Sequence, residues 1–293
     1  MNEDMHSFSL IFASSWWKGC IRPHMNYIDF HTHIFPDKIA KQAIDALAAE
    51  SGHYRPCTDG TLQGLLDSMK RANISLSLVA NIATRPAQMK PILEFCKQIK
   101  NDAIHPLISF HPSNDTYDVE DMFGEAHVAG IRGVKLHPMY QNFFIDDKYM
   151  YGFYELMASF GFFVMFHTGF DMAFPGNTQA DVERVKKVAN WFKDLNIVCT
   201  HMGGWKQWDR ISCLSDCENV YTETSLTMSE ISDEEFIKTI SYFDEDRILF
   251  GSDSPWTDQK EMLDRTLRLT ISDRLKEKMM YKNASKLLAL TAP

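Results

Sequence analysis

Hydrophobic and polar positions along this chain switch period again and again. Tyr27-Ile28-Asp29-Phe30-His31-Thr32-His33 opens with apolar residues suited to a buried strand and closes with two histidines. Side chains on a strand alternate faces, which predicts His31, His33 and Asp29 on one side. Pro36 and Asp37 mark a helix start, and Ile39, Ala43, Ile44 and Leu47 follow at helical spacing. After a loop at Gly52-His53-Tyr54-Arg55-Pro56, a second helix is predicted from Thr61 to Ala72. Further strands are predicted at Ile74–Ile82, Ile104–Phe110, Ile131–Leu136, Phe162–Phe166, Ile197–Thr200, Val220–Thr224 and Ile248–Phe250. Helices are predicted at Pro86–Lys100, Val119–Ala129, Asp146–Phe160, Asp181–Leu195, Asp233–Phe243, Lys260–Leu269 and Ser272–Leu290, with a short one at Trp205–Leu214.

Eight strands, each followed by helix, imply a parallel α/β sheet, and the repeat length fits a closed (β/α)8 TIM barrel. The competing open, doubly wound sheet lacks its Gly-rich first turn, because the first strand ends in histidines. No linker, repeat or low-complexity block interrupts residues 25–293, which are therefore read as a single domain. Residues 1–24 do not share the strand–helix pattern and are expected to form a poorly ordered extension. Its start is acidic, unlike the basic start of a secretory signal, so a cryptic signal peptide is the lesser reading.

Composition narrows the partners. A net charge of −9 over 293 residues argues against nucleic acid, which needs a basic surface. It leaves an anionic small-molecule substrate open, since a metal and a few cations set the field inside a pocket. No run is long and apolar enough to span a membrane. The six cysteines (Cys20, Cys57, Cys96, Cys199, Cys213, Cys217) contain no Cys-x-x-Cys pair, which points to reduced thiols in a cytoplasmic setting.

In a barrel the chemistry lies at the carboxyl ends of the strands. His31 and His33 end the first strand, Lys135 and His137 the fourth, His167 the fifth, His201 the sixth and Asp253 the eighth. Five of eleven histidines thus fall at one rim, on four strands. Core packing gives no reason for that concentration; a divalent metal does.

The motifs DFHTH, GVKLHP, FHTG, THMGG and GSDSPW, in this order, resemble the amidohydrolase superfamily. Within it they are similar to the amidohydrolase-related branch that includes aminocarboxymuconate-semialdehyde decarboxylase and aromatic acid decarboxylases. The resemblance runs over residues 26–290. It implies that His31, His33, His167 and Asp253 bind one divalent metal ion, most often Zn2+ with Mn2+ as the alternative, and that His201 is catalytic from just outside the ligand sphere. Asp253 is also expected to carry the proton of a metal-activated water. Lys135 is expected to bind a substrate anion in preference to bridging two metals as a carbamate. His137, Arg85, His111 and Trp256 are further expected substrate contacts, an arginine being suited to a carboxylate. Glu223 is given no role. No glutamate stands where the deoxyribonuclease branch uses one, which again disfavours nucleic acid. The expected activity is hydrolysis of a small amide, lactone or related carbonyl compound. The alternative is non-oxidative decarboxylation of a small aromatic or enoic acid, and a catalytically dead binding barrel is the third reading. Look-alikes commonly form a homodimer.

Overall fold

The computed structural model describes residues 26–50 and 52–290. The extension expected over 1–24 lies outside them. Eight strands run β1 (Tyr27–Thr32), β2 (Ile74–Ala80), β3 (Ile104–Leu107), β4 (Gly133–Leu136), β5 (Phe163–Phe166), β6 (Ile197–Cys199), β7 (Val220–Glu223) and β8 (Ile248–Leu249). All neighbours pair in parallel, as β1-β2-β3 and β4-β5-β6-β7-β8.

Two seams join these sheets into a barrel. At one, Ile108 bridges Val134, and Lys135 N donates to Ile108 O at 2.8 Å. At the other, Thr32 bridges Ser254, and Phe30 N donates to Phe250 O at 2.8 Å. Closure leaves no strand edge open. The interior is filled by Ile28, Phe30, Leu76, Leu78, Leu107, Phe163, Met165, Val198, Tyr221 and Leu249, with Ala284 and Leu288 packed against them. Gly133 on β4 makes room: a Cβ there would lie 2.4 Å from the Phe163 ring. The larger apolar cluster lies between the strands and the helices outside them.

Among the helices, α1 (Asp37–Glu50) and α3 (Met89–Ile99) line the site, and α2 (Leu62–Ala72) lies between them in the chain. Thr61 caps α2, accepting from Gly64 N, and Asn73 ends it in the left-handed region.

Three expectations need correction. The first concerns Asp29. Asp29 pairs with Ser77 and Thr32 with Val79, so β1 spends three residues where β2 spends two. This bulge breaks the alternation. Asp29 faces the outer helix layer, accepting from Ser252 N (2.9 Å), Ser252 Oγ (2.5 Å) and Gln259 Nε2 (2.7 Å), while His31 turns inward. The second concerns the short helix at Trp205–Leu214, which is only a 3-10 turn at Ile211–Leu214. Trp205 N instead donates to Thr168 O, and Trp205 O accepts from Phe170 N, which pins the segment to the loop after β5. The third concerns the closing helix. It divides into Asp273–Glu277, a π turn at Lys278–Lys282, and Asn283–Leu287. Met279 O accepts from Phe250 N at 2.8 Å, so that carbonyl serves the barrel instead.

Candidate functional site

The carboxyl ends of β1, β4, β5, β6 and β8 deliver His31, His33, Lys135, His137, His167, His201 and Asp253 to the floor of one cavity of about 480 Å³. His31 Nε2 lies 3.0 Å from His33 Nε2 and 3.5 Å from Asp253 Oδ1, and His33 Nε2 lies 3.1 Å from that same oxygen.

Hydrogen bonds behind the imidazoles decide where their protons sit. His33 Nδ1 faces Ala80 O at 2.8 Å; a carbonyl only accepts, so the proton is on Nδ1 and Nε2 is bare. His31 Nδ1 faces the Glu223 carboxylate at 2.9 Å, which assigns it the same tautomer. Ser225 Oγ donates to Glu223 (2.7 Å) and accepts from His201 Nδ1 (2.9 Å), leaving His201 Nε2 bare as well. His167 donates through Nε2 to Phe170 O (2.9 Å), and its bare Nδ1 faces His201 Nε2 at 3.3 Å. Three bare imidazole nitrogens, from His31, His33 and His201, thus gather around a carboxylate oxygen that no donor satisfies, with the fourth, His167 Nδ1, behind His201. Lone pairs repel unless a cation lies between them. The donor set is that of a hard-to-borderline divalent ion, with carbonyl and carboxylate partners fixing each ligand from behind.

The charges agree. Burial works against an ionised Asp253, and only positive charge on the His31 and His33 side offsets it and holds the carboxyl well below the usual range; with both rings neutral, that charge falls to a cation between them. Burial pushes His31 and His167 well below the ordinary histidine value and His201 down to about 4, so these rings favour the neutral, ligating form. Burial lowers Lys135 to about 8 against the pull of Asp253 and Glu223; its Nζ lies 3.4 Å from His31 Nε2. His201 and Asp253 both adopt left-handed backbone, at φ +57° and +66°. Such strain in non-glycine residues costs about 1–3 kcal/mol each and is characteristic of working sites.

The expected ligands are thus brought together, with one rearrangement. The ligand atoms of His31, His201 and Asp253 lie within 4.8 Å of one another, with His33 against two of them. His167 groups instead with His137 and Asp171, its Nδ1 touching the first group through His201. His137 stacks on His167, ring centroids 4.2 Å apart, and its Nε2 lies 3.3 Å from Asp171 Oδ2. Trp256 lines the cavity as expected.

Arg85 and His111 do not line it. Arg85 is exposed: with Pro86 next to it, it leads into the 3-10 turn Pro86–Gln88, and Thr84 and Gln88 face the cavity in its place. His111 Nδ1 accepts from Ser113 N at 3.1 Å within its own loop.

Three residues carry more than the sequence suggested. Glu223 is fully buried and, with Ser225, holds both His31 and His201. Its place at the carboxyl end of β7, in step with barrel-facing Tyr221, was the available signal. Asp171, four residues after His167, was hidden in a loop.

Comparison with known proteins agrees with this fold. A protein from Bordetella bronchiseptica described as an uncharacterized TIM-barrel protein superposes with a TM-score of 0.75 at 22% identity, over 90% of this chain and 98% of that one. The 5-carboxyvanillate decarboxylase of Sphingomonas paucimobilis gives 0.70 at 13% identity, over 91% and 100%. A 5-carboxyvanillate decarboxylase of Novosphingobium aromaticivorans, solved with bound manganese, gives 0.69 at 11%, over 90% and 97%. No curated protein sequence matches the chain. The amidohydrolase sequence profile matches residues 28–290, from the first strand to the closing helix, and the chain belongs to the amidohydrolase family.

Proposed function

We propose that this enzyme hydrolyses a small amide, lactone or related carbonyl compound at a divalent metal held by His31, His33, Asp253 and the facing imidazoles. The observation that carries the reading is Asp253 Oδ1, a buried carboxylate oxygen with no donor of its own beside bare imidazole nitrogens. Zinc is the proposed ion and manganese the alternative; when bound, it would polarise a substrate oxygen and acidify water. In this reading Asp253 takes a proton from water and returns it to the leaving group. His201, protonated on Nδ1, has one lone pair, on Nε2, and in this grouping gives it to the metal. Lys135 is the one ammonium among the cavity-lining residues and is suited to an anionic substrate oxygen.

Decarboxylation is the second reading. It is favoured by the largely apolar walls above the floor and by the decarboxylases among the similar structures, including a 2,6-dihydroxybenzoate decarboxylase. Here Lys135 would hold the substrate carboxylate. Metal analysis of the purified protein, followed by a screen of lactones, amides and aromatic or enoic acids, tests both. Acid release without CO2 supports hydrolysis, CO2 release supports the second reading, and no turnover of either class refutes both.

A further inference from the structure

The cavity is far larger than its polar floor, and its upper wall has an origin of its own. Helix α1 carries one broad apolar face: Ala40 and Ile44 on one side of it are buried in the protein, while Ile39, Ala43 and Leu47, four residues apart on the other side, are not. That row faces the cavity, and Ile39 remains 48% exposed there. Across the same cavity, α3 contributes Ile92 and Phe95, neither of them fully buried. The core covers only the Ala40–Ile44 side of that stripe. Its other side, open among the described residues and continuous with a reaction centre, is wall for a ligand.

Charge restricts that ligand. Among the described residues Lys135, at the floor, is the one Lys or Arg lining the cavity, and the acidic group at the α1 end, Glu50, accepts from the Tyr140 hydroxyl at 3.0 Å. A second carboxylate or phosphate far from the floor would meet apolar surface and a like charge. We propose that the substrate has one polar head, seated at the floor, and an elongated apolar arm of acyl-chain type lying along the Ile39–Ala43–Leu47 row and against Ile92 and Phe95. The assignment of the head to the floor rests on the function proposed above; the arm does not. A volume of about 480 Å³ lies within the range of drug-sized ligand pockets.

Titration calorimetry on the metal-loaded full chain tests this with two series, n-alkanoates from acetate to octanoate and n-alkanols of equal length, each below its aggregation limit. Full burial of each methylene tightens binding about fourfold, so Kd is expected to fall steadily to octanoate. Ala43→Trp fills the row and is expected to flatten both series. Leu47→Gln, a milder change on the same exposed stripe, is expected to weaken octanoate severalfold. Chain-length dependence in the alkanols with no acetate binding supports the arm and removes the head-group assignment. No dependence in either series, or a dependence that survives both substitutions, overturns the arm.

Discussion

His31 Nε2 and His33 Nε2 face each other at 3.0 Å, and each ring has its proton on the opposite nitrogen, held by Glu223 and by Ala80 O. Two bare nitrogens this close, with Asp253 Oδ1 beside both, define where a cation belongs. His33→Ala is therefore expected to lower metal affinity and abolish turnover together. Metal content after dialysis, read beside activity, checks it; full metal with no activity would move His33 out of the ligand set.

Glu223 is fully buried, holds the His31 imidazole directly, and holds His201 through its backbone N–H and through Ser225 Oγ. Glu223→Gln keeps the shape but halves the accepting capacity. Metal affinity should fall by about 10–100-fold, the usual effect of losing a partner behind a ligand. Competition with a chelator measures it, and an unchanged Kd would show that the tautomer of His31 is set elsewhere.

The ligand grouping separates His201 from His167. His201→Asn is expected to release metal more readily than His167→Asn. Metal retained by His201→Asn but lost from His167→Asn would restore the assignment that the sequence resemblance implies.

Gly169 follows the loop-forming end of β5 at φ +86°, and a Cβ there would lie 2.3 Å from Trp205 N. Backbone cannot yield as a side chain does. Gly169→Ala should destabilise the protein by more than about 2 kcal/mol and loosen the His167–His201 contact. A melting curve and metal affinity report the two effects separately.

His105 offers a pH test far from the metal, at the start of β3. Burial, with Lys100 and Arg132 nearby, lowers it to about 4, and its Nε2 has no partner. The fold therefore holds it neutral. A depressed histidine pKa means that stability is complete above the unfolded value of about 6.5 and is lost as pH falls through 6.5 towards 4. The loss is at most roughly 3 kcal/mol. Denaturant titrations of metal-free wild type and His105→Gln between pH 7 and 4 should converge as pH falls; parallel curves refute the assignment.

The sequence by itself determined the barrel and the rim on which the candidate site sits. Periodicity is local, and each of the eight strands is written in its own few residues. His31, His33, His167, His201 and Asp253 were legible because strand ends in a barrel can converge only at one mouth. What lay beyond the sequence depended on contacts between distant segments. One extra residue in β1 turned Asp29 outward, a register event that alternation alone does not reveal. Trp205 was claimed by Thr168 and Phe170 rather than by a helix. Glu223 gained its role from residues 192 and 22 positions away in the chain. Arg85 and His111 were drawn to their own turns, while the uncovered side of the α1 apolar face met a wall from α3. Side-chain type and period announce an element; which face meets which partner is decided only when the barrel closes.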